Sequence, residues 1–268
     1  MASVSIIQAR WRKTPFILLQ LLSLLLLSSW LIPSTASLWR LLDEPVYRLL
    51  NGSLGHFAAW DLLWAFLSTR VADLLAGSVM LISLIYKDFI FKQAQLKIAL
   101  LTFISLLTVM LIWRTVFTKV ITQLGLQHAS PSVFFGDGFQ LSQAFPWMER
   151  YLEIKDRSSR SFPGDHASVL LLWLLFTSYF AQSKQRLLVI ALGIFFILPR
   201  LVAGAHWLSD NLVGGLFLAL QSLAWGYCTP LTHSLTQGLN WMTTPILRLA
   251  QHVPGLKLLA IVQAESCR

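Results

Sequence analysis

The stretch Pro199–Asn211 reads Pro-Arg-Leu-Val-Ala-Gly-Ala-His-Trp-Leu-Ser-Asp-Asn and lies between two apolar runs, 187–198 and 212–225. An Arg, a His and an Asp in such surroundings are costly to keep and usually line a functional path or pair with one another. His206 and Asp210 are four residues apart, so on a helix they share one face. A carboxylate one turn from an imidazole holds one ring nitrogen as N–H and leaves the other free to act as base or nucleophile. Arg200, set off from His206 by Gly204, supplies a planar cation suited to phosphate oxygens. The competing reading is a buried ion-pair cluster that ties two helices together.

A second stretch weighs against that alternative. Arg160–Ser168 reads Arg-Ser-Phe-Pro-Gly-Asp-His-Ala-Ser and opens the apolar run 169–180. Pro163 and Gly164 at a helix start offer backbone N–H groups to an anion, and His166 falls in the first turn at the positive helix end. A plain helix start would account for this stretch alone, but not for a second His beside basic residues.

Together these residues resemble the type 2 phosphatidic acid phosphatase superfamily, whose members hydrolyse or transfer phosphate through a His. The third block of that family pattern is matched in full by Arg200, His206 and Asp210. The second is matched as Pro163-Gly164-Asp165-His166, with Gly and Asp where the family has Ser and Gly. The first is represented at best by Lys119 and His128, the latter in His128-Ala129-Ser130-Pro131 where an Arg is expected. Within the superfamily, Ala129–Pro131, Ser161–His166 and Gly204–Trp207 resemble the lipid A phosphotransferases of the bacterial inner membrane.

That resemblance implies roles. His206, oriented by Asp210, attacks phosphorus and carries the phosphate. His166 protonates the leaving oxygen. Arg200, Arg160, Ser161 and the Gly164 N–H hold the non-bridging oxygens, with Lys119 and His128 as further candidates and Asp165 orienting a basic side chain or capping its helix. No metal and no cofactor are implied. The expected donor is undecaprenyl diphosphate and the acceptor the 1-phosphate of lipid A, giving lipid A 1-diphosphate. The alternatives are a lipid phosphatase that uses water, and a non-catalytic membrane transporter or scaffold.

Composition sets the elements that must position these groups. The chain has 268 residues, 56% hydrophobic and only 12% charged, and its mean hydropathy is +0.64. A soluble domain carries about twice that charge, so an all-α polytopic membrane protein is expected. The net charge of +9 does not point to nucleic acid, because the basic residues fall between apolar runs, as membrane orientation requires. Cys228 and Cys267 suggest no disulfide framework and are expected in the cytoplasm, reduced.

Six spans are expected, at 15–32, 71–86, 98–118, 166–182, 187–202 and 209–228. Residues 1–14 form a cytoplasmic N-terminus, 15–228 the membrane domain and 229–268 a cytoplasmic tail. The first span also has signal-peptide features, but its apolar run is longer than a cleaved core. Residues 37–64 are amphipathic and suit one or two interfacial helices, the alternative being a plain connector broken at Pro45; His56 and Asp61 there are expected to be interfacial. Asp73 is expected at a membrane edge, and Arg114 to snorkel there rather than enter the site. The long segment 119–161 is expected to be a lid on the outer face. With Arg10–Lys13, Lys87–Lys97 and Lys184–Arg186 inside, both motifs reach the periplasmic face, and the oligomeric state stays open.

Overall fold

The computed structural model describes residues 6–253 and 255–266; residues 1–5, 254, 267 and 268 lie outside them, and with them the expectations for Cys267 and Arg268. The described chain is helical, with a single isolated bridge between Thr69 and Ile154. Helix α1 (Lys13–Leu31) carries no charge beyond Lys13 and turns Leu18, Leu21, Leu22, Leu24 and Leu25 outward. Such a surface is stable against hydrocarbon rather than water. Helix α2 (Pro33–Asn51) is amphipathic and runs on through Pro45, which favours a helix over the plain connector broken there. Helices α3 (Ala58–Leu67) and α4 (Arg70–Ile85) follow. Helix α5 (Leu96–Gln123) is the longest of the described helices, and α9 (Asp165–Phe180) and α10 (Ser183–Val202) form a hairpin. Asp210–Tyr227 is one helical run, with π-helical turns either side of α11 (Leu216–Ser222).

Six spans were expected. Among the described residues, three helical segments, Lys13–Leu31, Gln93–Gln123 and Ser183–Val202, are long and apolar enough to cross a membrane. A fourth is added if Asp210–Tyr227 and α12 (Leu231–Ala250), bent by 76° at their junction, count as one broken span. The expected spans at α4 and α9 have 16 residues each, which is short of the roughly 20 a hydrocarbon core asks for. The tail also differs from a free cytoplasmic segment: α12 docks on α5, with Lys97 Nζ donating to Thr244 Oγ1 at 2.8 Å and the Ser105 and Thr236 hydroxyls 3.1 Å apart.

The core lies among α4, α5, α9 and α11, around Leu96, Leu106, Leu172, Trp173 and Leu218. Trp173 is fully buried and donates its indole N–H to Ser83 Oγ at 3.0 Å, so its polar edge is satisfied. Against this block the connection from α5 to α9 folds with three short helices, α6 (Pro131–Phe135), α7 (Leu141–Ala144) and α8 (Pro146–Leu152).

Backbone contacts stitch the three sequence blocks together. Ser130 N–H donates to Ser158 O at 2.9 Å, Ser132 N–H to Gly204 O at 3.2 Å, and Gly164 N–H to Asp210 O at 3.0 Å. Two glycines are required by this close approach. Gly204 ends α10 with φ +74°, the left-handed turn that glycine adopts without strain. A Cβ on Gly214 would stand 2.7 Å from Pro163 Cβ and 2.9 Å from its Cα. On the far side, Asp43 of α2 is buried and accepts from Ser209 N–H at 2.8 Å and Ser209 Oγ–H at 2.6 Å. Burial pushes the Asp43 carboxyl above its usual range, against the opposing pull of the two Ser209 donors.

Two outcomes follow from these contacts. Gly214→Val should cost about 1–3 kcal/mol by overpacking and lower turnover by displacing 161–164, whereas Gly238→Ala, where a Cβ meets nothing within 4 Å, should leave both intact. Thermal melts and activity in detergent check this; equal effects of the two changes would contradict it. A carboxyl whose pKa is raised on folding contributes stability below its unfolded pKa and loses it as pH rises through the folded value. The melting advantage of the parent chain over Asp43→Asn should therefore shrink as the pH rises above the ordinary carboxyl value of about 4; a gap that widens with pH would contradict the assignment.

Candidate active site

His206 follows the Gly204 turn and points its ring back at the 161–164 segment. Its Nδ1 lies 2.9 Å from the carbonyl oxygen of Ser161 and 3.5 Å from Asp210 Oδ2. A carbonyl only accepts, so Nδ1 carries the proton and Nε2 is left with its lone pair. Asp210, fully buried at the start of the π-helical turn, also accepts Trp207 N–H on Oδ2 at 2.8 Å. Its other oxygen, Oδ1, faces His128 Nε2 at 3.4 Å. Ser161 Oγ is 3.2 Å from His128 Nδ1 and donates its proton to the His128 carbonyl oxygen at 3.2 Å. One buried acid is thus shared by two imidazoles.

His166 opens α9 as expected. Its Nε2 donates to the Phe196 carbonyl at 2.9 Å, and its Nδ1 lies 3.4 Å from Asp73 Oδ1. Nδ1 is therefore the atom that can exchange a proton within the site. Arg200 is buried, with its side chain 5% exposed. Its Nη1 donates to the carbonyls of Ser68 at 2.8 Å and Lys155 at 3.2 Å, and its Nη2 reaches both oxygens of Asp73 at 2.7 and 2.6 Å.

These groups line a cavity of about 860 Å³. Its mouth carries the cations Arg70, Arg114, Lys155, Arg157, Arg160 and Arg200 against the carboxylates Asp73 and Asp165, with His166 and His206 on its wall. Further in, the lining is apolar: Ala76, Gly77, Met80, Leu81 and Leu84 of α4, Leu100, Phe103, Ile104 and Leu107 of α5, and Val169 and Leu170 of α9. From Arg114 to Leu100 the wall follows α5 for about 20 Å. Leu81 and Ile104 on this wall are 45% and 37% exposed, so the groove is open between α4 and α5.

The other expected site residues are placed as follows. Arg160 is exposed on the cavity wall and makes no ion pair among the described residues. Asp165 accepts from Arg114 through Nε at 2.6 Å and through Nη2, so it orients a basic side chain, and Arg114 enters the site instead of snorkelling. The Gly164 N–H is taken by Asp210 O, and the Ser161 hydroxyl by His128; the N–H groups of Asp165, His166 and Ala167 in the first turn of α9 are the ones without an intrahelical acceptor. His128 stands behind Asp210 and is not among the residues that line this cavity. Lys119 is exposed and also outside the lining, because five residues beyond Arg114 is about 140° further round the same helix. Asp73, expected at a membrane edge and given no part in the site, lies inside it, between Arg200 and His166. An acid that opens an apolar run was the available signal, but its partner is 127 positions away. Asp61, expected at an interface, is buried and accepts Gly55 N–H at 2.9 Å. Among the described residues no group of three or more His, Cys, Asp or Glu is placed to hold a metal ion.

Residues 102–234 match the family model described as the PAP2 superfamily. The chain is 29% identical over 227 residues to the lipid A 1-diphosphate synthase of Escherichia coli (strain K12), an overlap of 82% of this chain and 89% of that protein. No solved structure matches. All three His–Asp–Arg positions that carry the site, together with Ser161–His166, fall inside the matched span, whereas Asp73 and Arg70 come from the part that precedes it. Residues 102–234 of this chain are thus a PAP2 superfamily domain, and the chain as a whole is similar to a lipid A 1-diphosphate synthase.

Proposed function

We propose that the chain is an inner-membrane phosphotransferase that moves a phosphate from undecaprenyl diphosphate to the 1-phosphate of lipid A, giving lipid A 1-diphosphate and undecaprenyl phosphate. One observation carries the reading. The lone pair of His206 Nε2 belongs to a cavity whose mouth is cationic and whose interior is an apolar groove about 20 Å long, open between two helices. That shape fits a phosphate headgroup on a long hydrocarbon chain entering sideways from a bilayer. The similar protein's name supplies the acceptor. The proposed topology has six spans, with shortened α4 and α9 counted among them, both termini in the cytoplasm and the site facing the periplasm.

The steps follow from the geometry. His206 Nε2 attacks the terminal phosphorus of the donor, forming an N–P bond as the bond to the bridging oxygen breaks. The imidazole is held in line by Ser161 O and Asp210, and the positive charge it gains is balanced by the Asp210 carboxylate. Arg200 and the α9 N-terminus stabilise the equatorial oxygens, with Arg160 at the mouth, and charge develops where these fixed donors already point. His166 acts as the imidazolium, with Nδ1 toward Asp73; it gives the Nδ1 proton to the leaving oxygen and takes one back from the acceptor phosphate as that attacks. The 1-phosphate of the acceptor then attacks the same phosphorus, restoring the His206 lone pair. Lys155, Arg157 and Arg160 at the mouth are placed to hold this second anionic headgroup.

His206→Ala should abolish transfer and hydrolysis alike. Asp210→Asn should slow both by roughly two to four orders of magnitude, because the imidazolium formed by the attack loses its balancing carboxylate while the nucleophile remains. Arg200→Ala should cost about 10²–10³ in kcat. Purified protein given undecaprenyl diphosphate and lipid A, followed by mass spectrometry of the lipid A, decides between acceptors. An added phosphate on lipid A is expected; free phosphate in its place, with lipid A unchanged, would make the chain a lipid phosphatase.

A further inference from the structure

Asp73 makes both contacts that a substrate phosphate would make. Its oxygens lie 2.7 and 2.6 Å from Arg200 Nη2, and Oδ1 is 3.4 Å from His166 Nδ1, inside the cavity that His206 lines. A carboxylate and the edge of a phosphate present the same pair of anionic oxygens to a guanidinium. The pair is also built to come apart. Arg200 is held independently through Nη1 by the Ser68 and Lys155 carbonyls, so its guanidinium keeps its place when Asp73 leaves. Asp73 is partly exposed, at 25%, and has a second cation within reach, Arg70 Nη1 at 3.9 Å, one turn before it on the exposed rim of α4.

We infer that Asp73 is an internal stand-in for phosphate: it occupies Arg200 and faces His166 between turnovers, and an incoming headgroup must displace it toward Arg70. The inference rests on the reading of this cavity as the phosphate site. Its consequence is selectivity. Displacement costs every ligand the same contact, so a soluble phosphate, which gains only from the cationic mouth, is held off. A lipid recovers the loss by burying its chain in the groove formed by α4, α5 and α9. Return of Asp73 to Arg200 then helps to expel the product headgroup. Asp73 is on this account a specificity residue that acts through Arg200, not a reacting group.

The test is calorimetric titration of the full chain in detergent with inorganic phosphate and with pyrophosphate. Asp73→Asn should bind both about tenfold more tightly than the parent chain, the scale of one charged hydrogen bond no longer competed for. Asp73→Glu, which keeps the anion, should return affinity to within a few-fold of the parent. A gain in affinity cannot arise from a damaged fold. The gain should also vanish in an Arg200→Gln background. Unchanged or weaker binding by Asp73→Asn would overturn the inference, and so would a gain of equal size without Arg200, which would be a through-space charge effect. Binding to none of the variants would remove the phosphate-site reading and the inference with it, whereas binding that depends on Arg200 but not on Asp73 would remove the inference alone.

Discussion

The structure depends on one buried carboxylate. Asp210 has no exposed surface, and an ionised acid in that position is costly unless donors surround it. The chain meets this requirement on one oxygen, where the Trp207 N–H donates and His206 Nδ1 lies 3.5 Å away, while the other oxygen faces His128 Nε2 at 3.4 Å without a hydrogen bond among the described residues. The backbone of the same residue accepts the Gly164 N–H. Three segments distant in sequence are thereby fixed to one point, and each brings a piece of the site. The Gly204 turn brings His206, the 161–166 segment brings the carbonyl that sets the His206 tautomer and the helix that bears His166, and the 128–132 segment closes the back. Asp43 braces the assembly from outside through Ser209.

The cavity divides between the two parts of the chain. Residues 102–234 supply His206, His166, Arg200 and most of the cations on the lining. Helix α4, which precedes them, supplies one apolar wall and Asp73. Charge and hydrocarbon affinity are thus spatially separated along the α5 wall, with the histidines at the charged end. On the proposed reading, a ligand that satisfies both ends is held with its phosphate at His206 Nε2, and a ligand that satisfies one is not.

Legibility in the sequence followed the range of the contacts. Arg200, His206 and Asp210 lie within eleven positions of one another, and their spacing alone foretold the His–carboxylate pairing that is found. The convergence of 129–131, 161–166 and 204–207 was legible only through resemblance, because nothing local links Ser132 to Gly204 or Gly164 to Asp210. Asp73 and Arg114 were misread because single charges at the end of an apolar run look alike whether they face headgroups or a partner; only the fold shows that Asp73 meets Arg200 and Arg114 meets Asp165. The helix runs across Pro45, against the plain-connector alternative, because tertiary contacts of Asp43, Tyr47 and Asn51, all buried, outweigh the one backbone bond that proline forgoes. Hydropathy located the helices to within a few residues but not their lengths: of the six expected spans, three or four among the described residues are long and apolar enough to cross a membrane, since hydropathy registers apolar content and not whether a partner helix or a lipid receives it.

The central claim is that the lone pair of His206 Nε2, held by Ser161 and Asp210, becomes the carrier of the phosphate. The direct measurement is to mix the purified chain with undecaprenyl diphosphate labelled at the terminal phosphorus, quench in alkali and map the labelled peptide by mass spectrometry. An alkali-stable, acid-labile phosphate on His206, discharged when lipid A is added, is the predicted result. Transfer that proceeds at the full rate with no label on His206, or with label on His166 or His128 in its place, would contradict the account.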